Sequence, residues 1–401
     1  MRGRRSTTLA TVLALAVLGV SVTSTAQATV AKSQRNAVVF VSDLSSGFSG
    51  LEVNFYQGVE KAAYLGAVTI LSPAYNHVFS VEGSNATLIN LINALSTATS
   101  SSSITAVDLI FVTHGLNNNV VFAGNTSVPI TTVRDDLIGH LSSAQRAKFR
   151  IVFSTACFGA THRTGWIQSG LKAASGSLGV YADSASSYVP FLTAWALGQS
   201  FGSAVTIANL ADPLHFWDGL ANATFLANTP FAGQANSTRV TSGNTSLTID
   251  GNPVGTFQLA PATRRVPVGK TVTYAFSWTV PSPRKWKSLK DLDLRLTDAK
   301  GTAIAVGWNQ TTDTLALVNA ARQPTSGPRQ PGQAGSLSGA AVALGTRGTS
   351  VTTKGRTVRL RLPLTLLRKA AGRTLRVEVA AGDHSGRKTP WNVAAVLTVS
   401  R

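Results

Sequence analysis

The sequence predicts a mostly parallel α/β sheet flanked by helices, followed by an all-β sandwich domain. Between residues 36 and 231, apolar runs of strand length alternate with amphipathic segments, which is typical of a parallel sheet covered by helices on both faces. Beyond Gly233 the segments become short, alternate with period two and are separated by Gly, Pro, Asn and Ser. That second pattern favours an all-β sandwich.

The distribution of charge supports the same division. Residues 29–260 contain 10 basic and 11 acidic residues, whereas residues 261–401 contain 23 basic and six acidic ones. Such asymmetry marks a change of domain and suggests an anionic partner for the basic part. We therefore expect the following division: signal peptide 1–28, α/β catalytic domain 29–232, linker 233–260 and basic sandwich 261–401.

The first residues have the layout of a secretory signal peptide. Arg2, Arg4 and Arg5 precede an apolar run at 9–22, and Ala26-Gln27-Ala28 provides a small-residue cleavage site. The apolar run is short for a transmembrane helix, and no second one follows. The sequence therefore predicts an extracellular protein, secreted or held at the cell surface, with no transmembrane segment in the mature chain.

The α/β elements are predicted from hydrophobic periodicity. Continuous apolar runs predict buried strands, and apolar residues at helical spacing predict the helices between them. The predicted strands are 36–42, 67–71, 107–113, 150–155 and 178–182. The predicted helices are 50–65, 82–95, 133–141, 166–174, 192–208 and 214–226.

Two predicted strands deliver chemically reactive residues to one edge of the sheet. The third strand runs into His114 and Gly115, and the fourth runs into Cys157, which precedes a predicted helix. Ligands bind at the carboxyl edge of such sheets, and a helix N-terminus lowers the pKa of a thiol. An imidazole within reach can exchange the thiol proton, while the backbone N–H groups of Gly115 and Cys157 can stabilise an oxyanion. As the chain has one cysteine, no internal disulfide competes with this interpretation.

The segments VDLIFVTHG (107–115) and RIVFSTAC (150–157) resemble the caspase-like cysteine peptidases, a group that includes caspases, legumains, gingipains and clostripain. The resemblance covers about residues 36–230. It implies that Cys157 is the nucleophile, that His114 transfers protons and that Gly115 and Cys157 bind the oxyanion. A peptide or protein substrate, a thioester acyl-enzyme and no cofactor are the corresponding expectations.

The same resemblance suggests positions for the substrate pocket. Relatives often read the side chain before the scissile bond through residues after the first strand and near the fifth, which correspond to Asp43 and Asp183. Either carboxylate in the pocket would favour an Arg or Lys side chain through charge pairing. Thr155 stands two residues before the cysteine, where many relatives carry an acid or glutamine. The competing interpretation is that both aspartates cap strand ends or helices.

Two other classes of function remain open from the sequence. Thr155, Cys157 and Gly159 also fit a nucleophile elbow of an α/β-hydrolase-type esterase, in which His215 with Asp183 or Asp212 would supply the base. A non-catalytic secreted protein that binds a surface through its sandwich is the third possibility. The remaining histidines form no metal-ligand spacing, so no metal site is predicted. His162 lies five residues after Cys157; we expect a surface role for it, and the alternative is that it lines the same cleft as the cysteine.

The basic sandwich carries its charge in a regular pattern. In the predicted strand 357–362, Arg359 and Arg361 share one face, opposite Val358, Leu360 and Leu362. This pattern predicts attachment to an anionic cell-envelope polymer, although a merely solvated basic face is equally compatible with it. Because aromatic residues are few there and no nucleic-acid motif is present, no nucleic-acid partner is expected.

Overall fold

The computed structural model describes residues 30–46, 48–251, 254–280 and 284–401. Within these ranges the chain has a mixed α/β fold, in which a largely parallel sheet is flanked by helices and followed by further β-sheets. The coarse fold prediction is therefore confirmed, while the predicted signal peptide lies outside the described residues. None of the described helices is long and apolar enough to cross a membrane.

The central sheet of the α/β domain has the strand order β2-β1-β3-β7-β8-β9, and only the β8–β9 pairing is antiparallel. A small antiparallel sheet of β4, β5 and β6 follows β3 in the chain. The strands of this domain are β1 (Arg35–Ser42), β2 (His77–Gly83), β3 (Ala106–Val112), β4 (Gly115–Leu116), β5 (Asn119–Phe122), β6 (Thr126–Pro129), β7 (Phe149–Ser154), β8 (Ala173–Ser177) and β9 (Arg239–Gly243).

Helices cover both faces of the central sheet, as the apolar strands require. Alternate residues of β1 enter separate cores: Val39 packs with α1, α6 and α7, whereas Val38 packs with α2, α3 and α5. The helices are α1 (Leu51–Leu71), α2 (Leu88–Thr99), α3 (Ile130–His140), α4 (Ser143–Arg146), α5 (Arg163–Gln168), α6 (Ser184–Ala196), α7 (Phe201–Ala211) and α8 (Phe216–Ala223).

The strand predicted at 67–71 is instead the last part of α1. Ala63, Ala67 and Leu71 recur every four residues and are all buried in one core, so the apolar run continues a helical stripe. The second strand is β2. Its burial is only partial, and its polar residues weaken the apolar signal.

The fifth strand also differs from its predicted position. Residues 173–174 open β8 rather than closing a helix, and the strand ends before residue 178. Its sequence is small (AASGS) because the loop that follows Cys157 lies directly against it. A Cβ on Gly176 would stand 2.2 Å from the carbonyl carbon of Gly159. The small residues of β8 allow this close backbone contact, and β8 therefore lacks the bulky residues from which strands are usually predicted.

The sandwich consists of two sheets around one apolar core. The first sheet has the order β10-β12-β19-β17-β16, with β18 also paired to β19. The second has the order β11-β21-β20-β13-β14-β15. The strands are β10 (Thr256–Ala260), β11 (Thr263–Pro267), β12 (Thr271–Thr279), β13 (Leu289–Asp298), β14 (Gly301–Asn309), β15 (Thr314–Leu317), β16 (Ser336–Ser338), β17 (Val342–Gly345), β18 (Ser350–Lys354), β19 (Thr357–Leu366), β20 (Thr374–Asp383) and β21 (Asn392–Ser400).

The boundary between the domains is narrower than the predicted linker at 233–260. Strand β9 pairs with β8 and completes the central sheet, and Ile249 is still buried in the α/β core. Val254 already belongs to the sandwich core, and β10 pairs with β12. Both strands, β9 and β10, lie at the edge of a sheet and have a polar composition, so the sequence of 233–260 did not predict them.

A buried ion pair fastens the centre of the α/β domain. Asp108 on β3 has no exposed surface and accepts hydrogen bonds from Arg150 Nε at 2.9 Å and from Tyr75 Oη at 2.5 Å. Trp195 Nε1 donates to Tyr75 Oη at 2.7 Å, and Arg150 also donates to the carbonyl of Ile249 at 2.5 Å. This network ties β3, β7, α6 and the end of the domain together.

Candidate active site

The candidate site lies where the strand order of the central sheet reverses direction. β1 has β2 on one side and β3 on the other, and ligands of open α/β sheets bind at such a reversal, beyond the carboxyl ends of the strands. The residues after β1 are Asp43 and Leu44, and those after β3 are Thr113 and His114. Cys157 follows the next strand, β7, in the same sheet.

A backbone carbonyl fixes the orientation and tautomer of His114. Its Nε2 lies 2.8 Å from the carbonyl oxygen of Leu44. Because a carbonyl can only accept, Nε2 carries the proton and Nδ1 is the nitrogen available as a base. Burial lowers the pKa of His114, opposed by this hydrogen bond and by the charge of Asp43. The imidazole is therefore neutral at pH 7.

Aromatic side chains that the sequence analysis did not single out surround this histidine. Tyr56 on α1 presents its edge to His114 at 5.5 Å between ring centres, and Phe48 stacks on Tyr56 at 4.4 Å. Burial raises the pKa of Tyr56, and the charge of Cys157 adds to the shift. The only sequence signal was an aromatic pair at 55–56 early in the helix after β1.

Three backbone N–H groups face the sulfur of Cys157. The N–H of Tyr181 donates to its Sγ at 3.4 Å, and the N–H groups of Gly115 and of Cys157 itself also face the sulfur. Burial nevertheless raises the pKa of the thiol, and these donors offset only part of the shift. The expected lowering by a helix N-terminus is absent because α5 begins at Arg163 and has six residues.

The raised pKa of Cys157 leads to a prediction for alkylation of the thiol. Iodoacetamide reacts with the thiolate, so its rate on Cys157 is expected to rise with pH around a midpoint above the ordinary thiol value of about 8.5. Intact mass reports the reaction without ambiguity because the chain has one cysteine. The unfolded protein in urea serves as the control. A midpoint below about 7 would show a thiolate–imidazolium pair and contradict the neutral dyad.

Gly115 allows the histidine strand and the cysteine loop to touch. A Cβ at Gly115 would stand 2.5 Å from the carbonyl oxygen of Cys157 and 2.9 Å from Cβ of Ala156. Both neighbours are held by the backbone, so neither can yield without moving the thiol. The glycine is therefore a steric requirement of this arrangement.

Gly115→Ala is expected to reduce turnover by about 10²-fold, because displacing a reacting group by about 1 Å costs that much. Gly139→Ala is the matched control, since Gly139 lies at an exposed position of α3 and its added Cβ would meet nothing within 4 Å. Turnover of a cleavable peptide by both variants measures the effect. Equal activity of the two would show that the contact at Gly115 is unimportant.

The turn after Cys157 has an unusual backbone. Phe158 adopts φ 54°, in the left-handed region that bulky residues rarely occupy. Its N–H donates to the carbonyl of Gly179 at 2.8 Å, and Gly159 packs against the backbone of Gly176. These contacts hold the turn that presents the Cys157 side chain. Backbone strain of this kind is concentrated at functional sites.

The three predicted pocket residues occupy different surroundings. Asp43 accepts a hydrogen bond from Ser45 Oγ at 2.7 Å and lies near His114. Thr155 is buried at the end of β7, where its N–H donates to Phe111 O at 2.9 Å. Asp183 precedes α6 and accepts a hydrogen bond from the Ser186 hydroxyl. Their roles in a pocket stay predictions.

Asp183 also belongs to a group of acidic residues. Burial raises its pKa to about 7, and the charges of Asp212 and Asp218 add to the shift. His215 Nδ1 lies 3.3 Å from Asp218 Oδ2, while Asp212 accepts from the N–H of Phe216 at 3.1 Å at the start of α8. The alternative base His215 thus has Asp218 as its carboxylate partner, rather than Asp183 or Asp212.

Two further residues near the site were missed or misplaced from the sequence. His162 has no exposed surface, against the expected surface position, and its Nε2 lies 2.9 Å from Leu116 O. Arg239 is buried between the rings of Phe153 at 3.8 Å and Tyr181 at 5.0 Å. The N–H of Tyr181 donates to the sulfur of Cys157, so Arg239 supports the segment that provides this donor. Treating 233–260 as a linker concealed this role.

No family model matches the chain, and no curated protein matches it significantly in sequence.

Proposed function

We propose that the protein is a secreted cysteine endopeptidase of the caspase-like type, in which His114 and Cys157 form the catalytic dyad. The observation that carries the proposal is the meeting of the His114-Gly115 strand end with the backbone of Cys157 at the strand-order reversal. The histidine is oriented by Leu44, and the sulfur is met by three N–H groups. The resemblance of 107–115 and 150–157 to that family supports the same conclusion.

In the proposed reaction the neutral dyad is activated only when substrate is bound. His114 Nδ1 takes the thiol proton while Sγ forms a bond to the scissile carbonyl carbon, and the carbonyl π electrons move to oxygen. The N–H groups of Gly115 and Cys157 stabilise this oxyanion. The C–N bond then breaks, and the leaving amine takes the proton from His114.

Water completes the cycle. His114 removes a proton from the water that attacks the thioester, the C–S bond breaks, and the proton returns to the sulfur. The products are a carboxylic acid and an amine, and no cofactor takes part. The edge of Tyr56, on which Phe48 stacks, covers one side of the His114 ring, and less water beside the ring would strengthen the electrostatic contribution of the N–H donors.

A peptide-library digestion tests the proposed function. The mature protein is expected to generate new N-termini after a restricted set of side chains, identified by mass spectrometry, and the Cys157→Ala variant is expected to generate none. A preference for Arg or Lys would support Asp43 or Asp183 as pocket residues. Absence of cleavage by the wild type, or cleavage that survives Cys157→Ala, would contradict the proposal. Hydrolysis confined to esters and dependent on His215 would instead support the esterase alternative.

We further propose that the basic sandwich attaches the enzyme to an anionic surface outside the cell. The excess of cations in 261–401 supports this role, and it does not depend on the chemistry of the dyad.

A further inference from the structure

The two sheets of the sandwich differ completely in their acidic residues. All six acidic residues of 254–401 lie on the second sheet or its turns, and the structure describes all of them: Asp291, Asp293, Asp298, Asp313, Glu378 and Asp383. Five of these form ion pairs with arginines, and Asp313 accepts a hydrogen bond from Trp308 at 2.8 Å. Most of the negative charge of the domain is therefore paired with arginines at one sheet.

The first sheet carries only cations. Its strands contain no acidic residue among the described positions, and several exposed basic side chains lie on these strands or close to their ends. These are Lys270, Arg347, Lys354, Arg356, Arg359, Arg361, Arg368 and Lys369. Since none of them has an ion-pair partner within the described chain, their charge is available to an external anion.

Three of these cations form a line on the outward face of β18 and β19, which we call the cationic face: Lys354, Arg359 and Arg361. The outward residues of β19 here are Thr357, Arg359 and Arg361. Lys354 of β18 pairs with Thr357, so each of these three successive outward positions, or levels, carries one cation. Neighbouring outward levels of a strand are about 6.8 Å apart. Cations at such regular spacing match a linear partner with one charge in each repeat.

The surroundings of the cationic face indicate the chemistry of that partner. The residues beside the arginines are small, and most carry a hydroxyl: Thr352 and the buried Ser277 flank Arg359, whereas Ser350 and Ala275 flank Arg361. Because these neighbours are short, a polymer whose anions lie in its backbone can approach the arginines directly. Arginine forks and hydroxyl donors together suit the oxygens of a phosphodiester.

The aromatic residues of β12 point the other way. Tyr274, Phe276 and Trp278 are buried in the sandwich core, and the outward positions of β12, β18 and β19 carry no aromatic side chain. The face therefore offers no platform for stacking bases, the contact by which proteins hold single-stranded nucleic acids.

We infer that the cationic face binds a linear phosphodiester polymer without bases, of the kind present in cell envelopes. This inference rests on the surface attachment proposed above and specifies its partner. Binding is governed by counterion release, so it weakens steeply as salt increases.

The test measures binding of full-length Cys157→Ala protein to immobilised poly(glycerol phosphate) between about 50 and 200 mM salt. Three contacts predict a slope of log K against log[salt] of about −2, and Arg359→Gln/Arg361→Gln is expected to reduce its magnitude by about 1.4. The same double variant should bind at least about 10-fold more weakly at the lowest salt. Both side chains are exposed, so the melting temperature is expected to stay unchanged, which separates lost binding from misfolding.

Arg264→Gln/Arg265→Gln is the matched control because these exposed arginines lie on β11 of the second sheet and the charge change is identical. An equal loss of binding in this control would reduce the effect to net charge and overturn the inference. Equal affinity for polyglutamate, or tighter binding of a single-stranded oligonucleotide, would also overturn it. As the assay uses an inactive variant, its failure and a failure of the peptidase proposal are independent results.

Discussion

His114→Ala is expected to lower kcat/KM for a cleavable peptide by about 10²–10⁴-fold, the usual contribution of a positioned acid–base group. The neutral thiol makes the effect large: burial raises the pKa of Cys157, so little thiolate exists at pH 7 unless a base removes the proton as the substrate reacts. Initial rates with a peptide identified in the library digestion measure the loss.

The control for this variant is His215→Ala. His215 is half-exposed and pairs with Asp218 on α8, so its removal is expected to leave kcat/KM within about twofold under the proposed mechanism. The opposite outcome, in which His215→Ala abolishes turnover and His114→Ala does not, would support the hydrolase alternative. The pH dependence of the residual activity adds a second readout: His114→Ala should shift its rise to higher pH because hydroxide must then deprotonate the thiol.

Arg150→Met is expected to lower the free energy of unfolding of the α/β domain by about 3–5 kcal/mol, because it leaves Asp108 buried without its cation. Urea unfolding followed by circular dichroism at the helix signal measures this change. That signal reports on the α/β domain alone, since the described residues of the sandwich form no α-helix.

Two further variants complete this experiment. Asp108→Leu combined with Arg150→Met replaces the pair with apolar side chains and is expected to recover part of the lost stability. Arg134→Met removes an exposed ion pair with Asp135 and is expected to leave the unfolding transition unchanged. If Arg150→Met behaved like Arg134→Met, the buried pair would not be a structural requirement of the domain.

The strands that the sequence predicted well are those with strong apolar signals. β1, β3 and β7 are buried on both faces and read as continuous apolar runs, so their ends, and with them His114 and Cys157, could be located from the sequence. β2 and β9 lie at the edges of the sheet and carry polar residues. β8 is made of small residues because of the contact between Gly176 and Gly159.

The surroundings of the candidate dyad were less accessible to sequence analysis. The contact of Gly115 with Cys157 depends on two loops 42 residues apart, and Tyr181 and Leu44 act through backbone atoms that any residue possesses. Arg239 reaches the site from a strand added after α8. The expectation of a low thiol pKa was wrong for a related reason. Burial raises the pKa of Cys157, and this burial depends on the assembled fold.

The charge pattern of the sandwich could also be predicted from the sequence only in part. The alternation on β19 predicted an outward position for Arg359 and Arg361, and the structure confirms it. The sequence could not show that every acidic residue of the domain lies on the opposite sheet, because that separation depends on which strands pair.

Trapping of an acyl-enzyme tests the central proposal most directly. A peptide ester mixed with the protein and quenched in acid within milliseconds is expected to add the mass of the acyl group to Cys157, located by peptide mapping of the single cysteine. Hydroxylamine should release it, as it does a thioester, and Cys157→Ala should acquire no added mass. An adduct on any other residue, or rapid turnover of the ester by Cys157→Ala, would contradict a mechanism in which Cys157 is the nucleophile.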